Sequence, residues 1–359
     1  MVKHLYKKSL LVSLITGLSF TSSAQQPMQS IDSKGYVAHD PVMIKQDSTF
    51  YLFVTGGGMA KSTDLENWTR IKPVPANLQW VTDSMIPGYR GGFWAPDIQY
   101  YNGEYYLYYS PSAFAKNTSA IGVMTNKTLD QDDPDYKWDD HGMIVQSIPG
   151  RDFWNAIDAN VYFERNWGGE TIGWLSFGSF WGGIKLVKLA PDMKSLAEPQ
   201  EWYTVAKQER TFGMPDTDPG DGTIEAPFIY RRHQYYYLFV SLDYCCRGLD
   251  SNYSTVVGRS RDIRGPYYDK NGVPLYAGGG TYVAGPNDDY AGIGHCAVYD
   301  FDAKTYFVAH GYDKQDHGRS KLVVKEIIWD RAEWPTVLFD TVETEDAIPD
   351  EEVQMEDEH

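Results

Sequence analysis

The sequence predicts an all-β chain, a five-bladed β-propeller, on three observations. Aromatic residues make up 15% of the 359 residues, 27 of them tyrosines, and turn residues punctuate short β-like runs throughout. One pattern recurs five times: a polar residue opens a β-like run, a turn follows, and an aromatic-rich strand comes next. Further strand-like sequence then completes each unit, which gives about four strands per repeat, the content of a propeller blade.

The units are "AHDPVMIKQDSTFYLFVTG" from Ala38, "WAPDIQYYNGEYYLYYSPS" from Trp94, "NAIDANVYFERNWGGETIGWLSFGS" from Asn155, "TIEAPFIYRRHQYYYLFVS" from Thr223 and "IGHCAVYDFDAKTYFVAHG" from Ile293. Their opening polar residues are Asp40, Asp97, Asp158, Glu225 and His295. The later strands include "SAIGVMT", "GIKLVKL", "STVVGRS" and "KLVVKEIIW". Unrelated hairpins in a sandwich or barrel would not place a polar residue at the same point of five units. The innermost strand of a blade lines the central channel, so these five side chains are expected to converge at one mouth.

Flanking the repeats are two segments of different character. Lys3, His4, Lys7 and Lys8 precede a short apolar run from Ser9 to Phe20, and Ser22-Ser23-Ala24 supplies small residues for a signal peptidase. Residues 1–24 therefore read as a secretory signal peptide with cleavage after Ala24. No Cys near that site offers a lipid anchor, and no later run approaches ~20 apolar residues. The predicted domain is 25–340, and 341–359 is an acidic tail expected to be disordered. The formal charge is −17, and removing Lys3, Lys7 and Lys8 with the signal takes it to −17 − 3 = −20. Such a charge disfavours nucleic acid and anionic membrane as partners. The expectation is a monomeric exported protein, periplasmic or extracellular.

Three cysteines are no disulfide framework. Cys245 and Cys246 are adjacent, with Cα atoms ~3.8 Å apart, closer than the usual disulfide range. A buried free thiol is expected for each of Cys245, Cys246 and Cys296, with a vicinal disulfide at a functional loop as the alternative.

Several converging carboxylates suit acid–base chemistry. The glycine runs "TGGGM" and "AGGGT" lack the Lys-Ser/Thr pair of a phosphate cradle, and no HExxH or paired-Cys motif announces zinc. Hydrolysis of a glycosidic bond needs two carboxyl groups in opposite protonation states, one protonated to donate to the leaving oxygen and one ionised. A third carboxylate nearby would raise the pKa of the acid. Abundant Trp and Tyr suit the apolar faces of sugar rings.

At this point the sequence resembles a known family. "AHDPV", "FWAPDIQYYNGEYYLYYS", "NAIDANV", "WLSFGSFWGGIKLVKL", "IEAPFIY", "CCRG", "VVGRS", "GPYYD" and "GHCAVYDF" stand in the order found in glycoside hydrolase family forty-three, within its endo-α-1,5-L-arabinanases, from about Tyr36 to Val337. The resemblance implies a five-bladed propeller and an inverting hydrolase acting on arabinan or arabino-oligosaccharides. It assigns Asp40 in "HDP" as the base that deprotonates water, Glu225 in "IEAP" as the acid, and Asp158 in "NAID" as the carboxylate that tunes and orients that acid. Asp97 carries no firm role in the family and reads equally well as a structural acid.

The resemblance further implies substrate contacts from Asp40, Trp94, Phe114, Ala115, Asn155, Ala156, Ile157, Asp158, Ser179, Phe180 and Trp181. Packing between blades competes for each aromatic. Ala115 stands where many relatives have Gly, a departure that implies a different register of the sugar chain at that loop. His295 is the implied ligand of one structural calcium ion, held partly through water; no organic cofactor is expected. An exo-acting arabinanase, an arabinofuranosidase, a β-xylosidase and a non-catalytic sugar-binding propeller are the competing readings. The fructan-hydrolysing clan shares the propeller, but its Asn-Asp-Pro-Asn opening is absent.

Overall fold

The computed structural model describes residues 30–339, and within them the expected architecture is present: five antiparallel sheets, one of five strands and four of four. The expected signal peptide and the expected disordered tail lie outside the described residues. The first channel strand of each blade in turn is Val42–Gln46, Trp94–Tyr101, Asn160–Arg165, Ile224–Arg232 and Tyr290–Phe301. These strands lie against one another around the axis. The first blade is completed on its outer edge by Ser30–Asp32, which pairs with Asn67–Ile71.

Blade strands do not alternate polar and apolar residues, because both faces of a blade are covered by its neighbours. In Glu104–Ser110 every residue after Glu104 is buried, and in Tyr235–Leu242 only the two ends are partly exposed. Tyr106 and Tyr108 of the second blade pack with Leu175 and Phe177 of the third. Trp174 and Leu186 pack with Leu238 and Val240 of the fourth, and Phe50 and Leu52 with Val308 and Leu322 across the join between first and last blades. The ring is closed there by the segment before the first channel strand. Leu322 N–H donates to Tyr36 O at 2.8 Å, Val37 bridges Lys321, and Ser320 Oγ donates to Ala38 O.

One local distortion recurs at the mouth of all five blades. The left-handed residue there is Asp40 (φ 51°), Ala95 (φ 39°), Asp158 (φ 60°), Ala226 (φ 52°) and His295 (φ 51°). In three blades the ladder slips at the same point, between Trp94 and Asp97, Glu225 and Phe228, and Gly294 and Ala297, as a β-bulge requires. Asp tolerates this conformation, whereas Ala adopts it at a cost of about 1 kcal/mol. The bulge also takes the backbone N–H out of its own ladder, so it needs a partner elsewhere. Asp40 N–H donates to His310 Nδ1 at 3.1 Å, Ala95 N–H to Thr55 Oγ1 at 2.8 Å, Ala226 N–H to Asp158 Oδ2 at 3.1 Å and His295 N–H to Ser241 Oγ at 2.8 Å. Each bond stitches one blade to another.

This distortion corrects the repeat register read from the sequence. Asp40, Asp158 and His295 are equivalent, but Glu225 precedes the left-handed residue of its blade and Asp97 lies two places beyond it. Matching polar residues by type could not detect a backbone feature that Ala95 and Ala226 share with two aspartates and a histidine.

Candidate active site

The mouth of the channel opens into a cavity of about 400 Å³ whose lining includes Asp40, Asp158, Glu225 and His295. Trp94, Phe114, Ala115, Asn155, Ile157, Ser179, Phe180 and Trp181 also face it. The structure thus brings together every sequence-predicted site residue except Ala156. That residue is fully buried, with its N–H on Ser147 Oγ at 3.0 Å, and it presents nothing to a ligand. Asp97 is buried below the mouth, where Oδ2 accepts Val161 N–H at 2.7 Å.

Asp40 is held by donors on both oxygens. Oδ2 accepts Thr55 Oγ1–H at 2.5 Å and faces His39 Nδ1 at 2.9 Å, while Oδ1 faces His295 Nδ1 at 3.0 Å. Burial works against its charge, but the neighbouring His295 and His39 outweigh it and hold the carboxyl well below the usual range. Asp40 is therefore an ionised carboxylate at neutral pH.

Glu225 is oriented by two hydroxyls, Ser179 Oγ donating to Oε2 and Tyr253 Oη to Oε1, each at 2.8 Å. Tyr253 reaches it by lying across the last blade at Gly294, where an added Cβ would stand 2.3 Å from the Tyr253 ring. Gly294 occupies the place in its blade that Glu225 occupies in its own, so the missing side chain makes room for the tyrosine that positions the acid.

Asp158 behaves oppositely to Asp40. Burial pushes its carboxyl up, His295 partly offsets that, and the like charges of Glu225 and Asp40 add to it, to about 8. One proton is thus retained at the mouth at neutral pH. Cleavage between sugars requires one ionised and one protonated carboxyl group in one cavity; Asp40 supplies the first, and Asp158 keeps a proton beside Glu225.

His295 stands among all three acids. Burial alone would lower its pKa, but Asp40, Asp158 and Glu225 raise it to about 9. That position calls for a positive charge, which an imidazolium or a bound cation would supply. Among the described residues the ring of His295 is engaged through Nδ1, on Asp40 Oδ1, which fits a cation held by the other nitrogen and otherwise by water. A second cluster, His39, Asp40 and His310, does not fit. His310 Nδ1 accepts Asp40 N–H, and Nε2 meets Tyr312 Oη at 3.1 Å, so its lone pair is already engaged.

The rim supplies sugar-sized surfaces. Phe114 is 77% exposed, and Ala115 after it has φ 57°, a conformation that glycine adopts without strain. Phe180 and Trp181 also have positive φ, 54° and 38°, in keeping with backbone strain concentrating where ligands bind. Asn155 Oδ1 is buried without a partner among the described residues, an acceptor left open at the cavity wall.

The sequence did not single out several members of the site. Cys245 and Cys246 form a disulfide, the alternative to the free thiols expected for them, and both line the cavity. At this bond Cys246 has φ 67°, and its N–H donates to Tyr312 Oη at 2.7 Å. Cys296 is free and buried, as expected. Thr55, Tyr253, His310 and Tyr312 also escaped notice. Only the last two left a sequence signal, alternate polar residues in "AHGYD" at the end of an otherwise apolar strand.

Residues 35–335 match the model of glycosyl hydrolases family 43, and the chain belongs to that family. It is 46% identical over 301 residues, 83% of this chain and 86% of the relative, to the extracellular exo-α-(1→5)-L-arabinofuranosidase ArbA of Cellvibrio japonicus. To the extracellular endo-α-(1→5)-L-arabinanase 1 of Bacillus subtilis it is 37% identical, over 90% of this chain and 95% of the relative. The solved structure of the Cellvibrio cellulosa α-L-arabinanase with arabinohexaose is similar at a TM-score of 0.81 and 44% identity, covering 86% of this chain and 96% of that one.

Proposed function

We propose that this protein is an exported, inverting hydrolase of α-1,5-L-arabinofuranosidic links in arabinan, cleaving within the chain. The observation that carries this reading is the meeting of an ionised Asp40 and a proton-retaining Asp158 with Glu225 in one cavity. Asp40 takes a proton from water as the water attacks the anomeric carbon. Glu225, in its protonated form, gives its proton to the departing oxygen, held in line by Ser179 and Tyr253. The proton Asp40 has taken up then leaves to solvent as Glu225 is reprotonated for the next turnover. Asp158 keeps a proton in the pocket and braces the strand through Ala226 N–H. Trp94, Phe114, Phe180 and Trp181 offer ring faces to the sugars, and Asn155 offers an acceptor to a hydroxyl. Relatives named as arabinan hydrolases support the substrate class, and their description as extracellular supports export.

His295 would hold a calcium ion with water completing the shell, and such an ion would supply fixed positive charge beside Asp40.

The test is reducing-end release from linear arabinan, with product anomers followed by NMR. Wild type should release oligosaccharides with inverted configuration, while Glu225→Gln and Asp40→Asn bind the polymer without cleaving it. Retained configuration, or activity in both variants, would overturn the mechanism. Cleavage from chain ends is the second reading, favoured by the 46% identical exo-acting relative. Early products decide it: mixed oligosaccharides for internal cleavage, one short product for terminal cleavage.

A further inference from the structure

The donor pattern behind Asp40 fixes more than the carboxylate itself. Asp40 N–H donates to His310 Nδ1 at 3.1 Å, so that nitrogen carries no hydrogen. A neutral imidazole then bears its hydrogen on Nε2, which lies 3.1 Å from Tyr312 Oη and donates to it. Cys246 N–H donates to the same oxygen at 2.7 Å. Two donors fill both lone pairs of the phenol oxygen, so its own hydrogen must leave toward an acceptor. His39 Nε2 stands 3.2 Å away. The alternative, Cys246 Sγ at 3.9 Å, is a weak acceptor. With Nε2 accepting, His39 carries its hydrogen on Nδ1, where Asp40 Oδ2 lies at 2.9 Å. Neither His310 nor Tyr312 touches the cavity; both are buried.

We propose that Tyr312 is a positioning residue for the base: its hydroxyl, oriented by His310 and by the backbone of Cys246, fixes the His39 ring so that Nδ1–H points at Asp40. This rests on the reading of Asp40 as base. Thr55, His39 and His295 then occupy three of the carboxylate's about four lone-pair sites, which leaves one direction for the attacking water. The loop of the Cys245–Cys246 disulfide thereby acquires a function, since it delivers the second donor that saturates Tyr312.

Tyr312 packs with Tyr253 and Ala291, so Tyr312→Phe keeps the ring and removes the hydroxyl. The expected result on linear arabinan is a kcat about 10-fold lower with KM within about twofold. His39→Asn keeps an N–H near the Nδ1 place but offers nothing to Tyr312. In that background Tyr312→Phe should cost less than about twofold, because the two residues act in series. Equal losses in both backgrounds would overturn the proposal. A measurement independent of catalysis accompanies this: nitrogen NMR of 15N-histidine-labelled wild type at pH 8. Hydrogen on Nδ1 of His39 and on Nε2 of His310 supports the relay, and hydrogen on Nε2 of His39 refutes it. Because the NMR reads the tautomers directly, an active Asp40→Asn would sink the assignment of the base while leaving the relay standing.

Discussion

Asp158 and Asp97 are the same residue type at the head of neighbouring channel strands. Both are buried, and each accepts one backbone N–H from the next blade, Asp158 from Ala226 at 3.1 Å and Asp97 from Val161 at 2.7 Å. Asp158 is the left-handed residue of its bulge, whereas Asp97 lies two positions past Ala95. That short step separates a carboxyl facing Glu225 across a cavity from one enclosed by the channel wall. Burial pushes Asp97 up to about 6, against partly offsetting hydrogen bonds from Val161 and Gln99. Asp158 reaches about 8 because other carboxylates add to burial. Desolvation alone marks a buried acid; desolvation with charged company marks a site.

The largest effects expected follow from this contrast. Asp40→Asn, Glu225→Gln and Asp158→Asn should each lower kcat on linear arabinan by roughly 100-fold or more, with binding measured by calorimetry retained. Asp97→Asn should stay within about threefold. Loss of catalysis in Asp97→Asn with the fold intact would erase the distinction between the two positions.

Next comes Tyr253→Phe, which removes the hydrogen bond from Tyr253 Oη to Glu225 Oε1, worth about 0.5–1.5 kcal/mol. The kcat should fall by roughly 2- to 10-fold with KM little changed. Steady-state kinetics checks this, and an unaltered kcat would remove Tyr253 from the acid's support.

A pH profile sharpens the electrostatics. Asp40, depressed, stays ionised as pH falls, so it sets no limb near neutrality. Asp158, raised to about 8, loses its proton as pH rises through that value. The kcat/KM should therefore hold across neutral pH and decline above about 8. Separately, a strong chelator should lower the melting temperature if His295 holds an ion, by an amount that added calcium restores.

The remaining effect is on stability and leaves catalysis aside. The carboxyl of Asp97 is raised in the fold, so between its usual range and about 6 the native state binds more protons than the unfolded chain. Stability from this group is present below about pH 4 and falls as pH rises to about 6, by roughly 3 kcal/mol at most. Urea melts of Asp97→Asn against wild type should show the difference move in favour of the variant over that interval, then level off.

Much of this site was legible in the sequence because the repeat carries its chemistry at the heads of its strands. Asp40, Asp158, Glu225 and His295 stand out as polar residues opening apolar runs. Trp94, Ser179 and Trp181 follow from the family's motifs. Ala156 lies between two lining residues in that same motif, yet its side chain turns into the protein. Tyr253 and Tyr312 were hidden for another reason: in a chain with 27 tyrosines, one more aromatic strand end carries no signal.

The sequence by itself determined the number of blades, the strands that form them and the residue types at the channel mouth, because burial on both faces and turn chemistry are local and repeat. Only the tertiary structure decided which acids share a cavity, which lie sealed in the wall, and that Cys245 and Cys246 are joined. A bulge that shifts register by one or two residues is set by packing between blades, and the electrostatic fate of a carboxylate depends on groups brought beside it from distant strands.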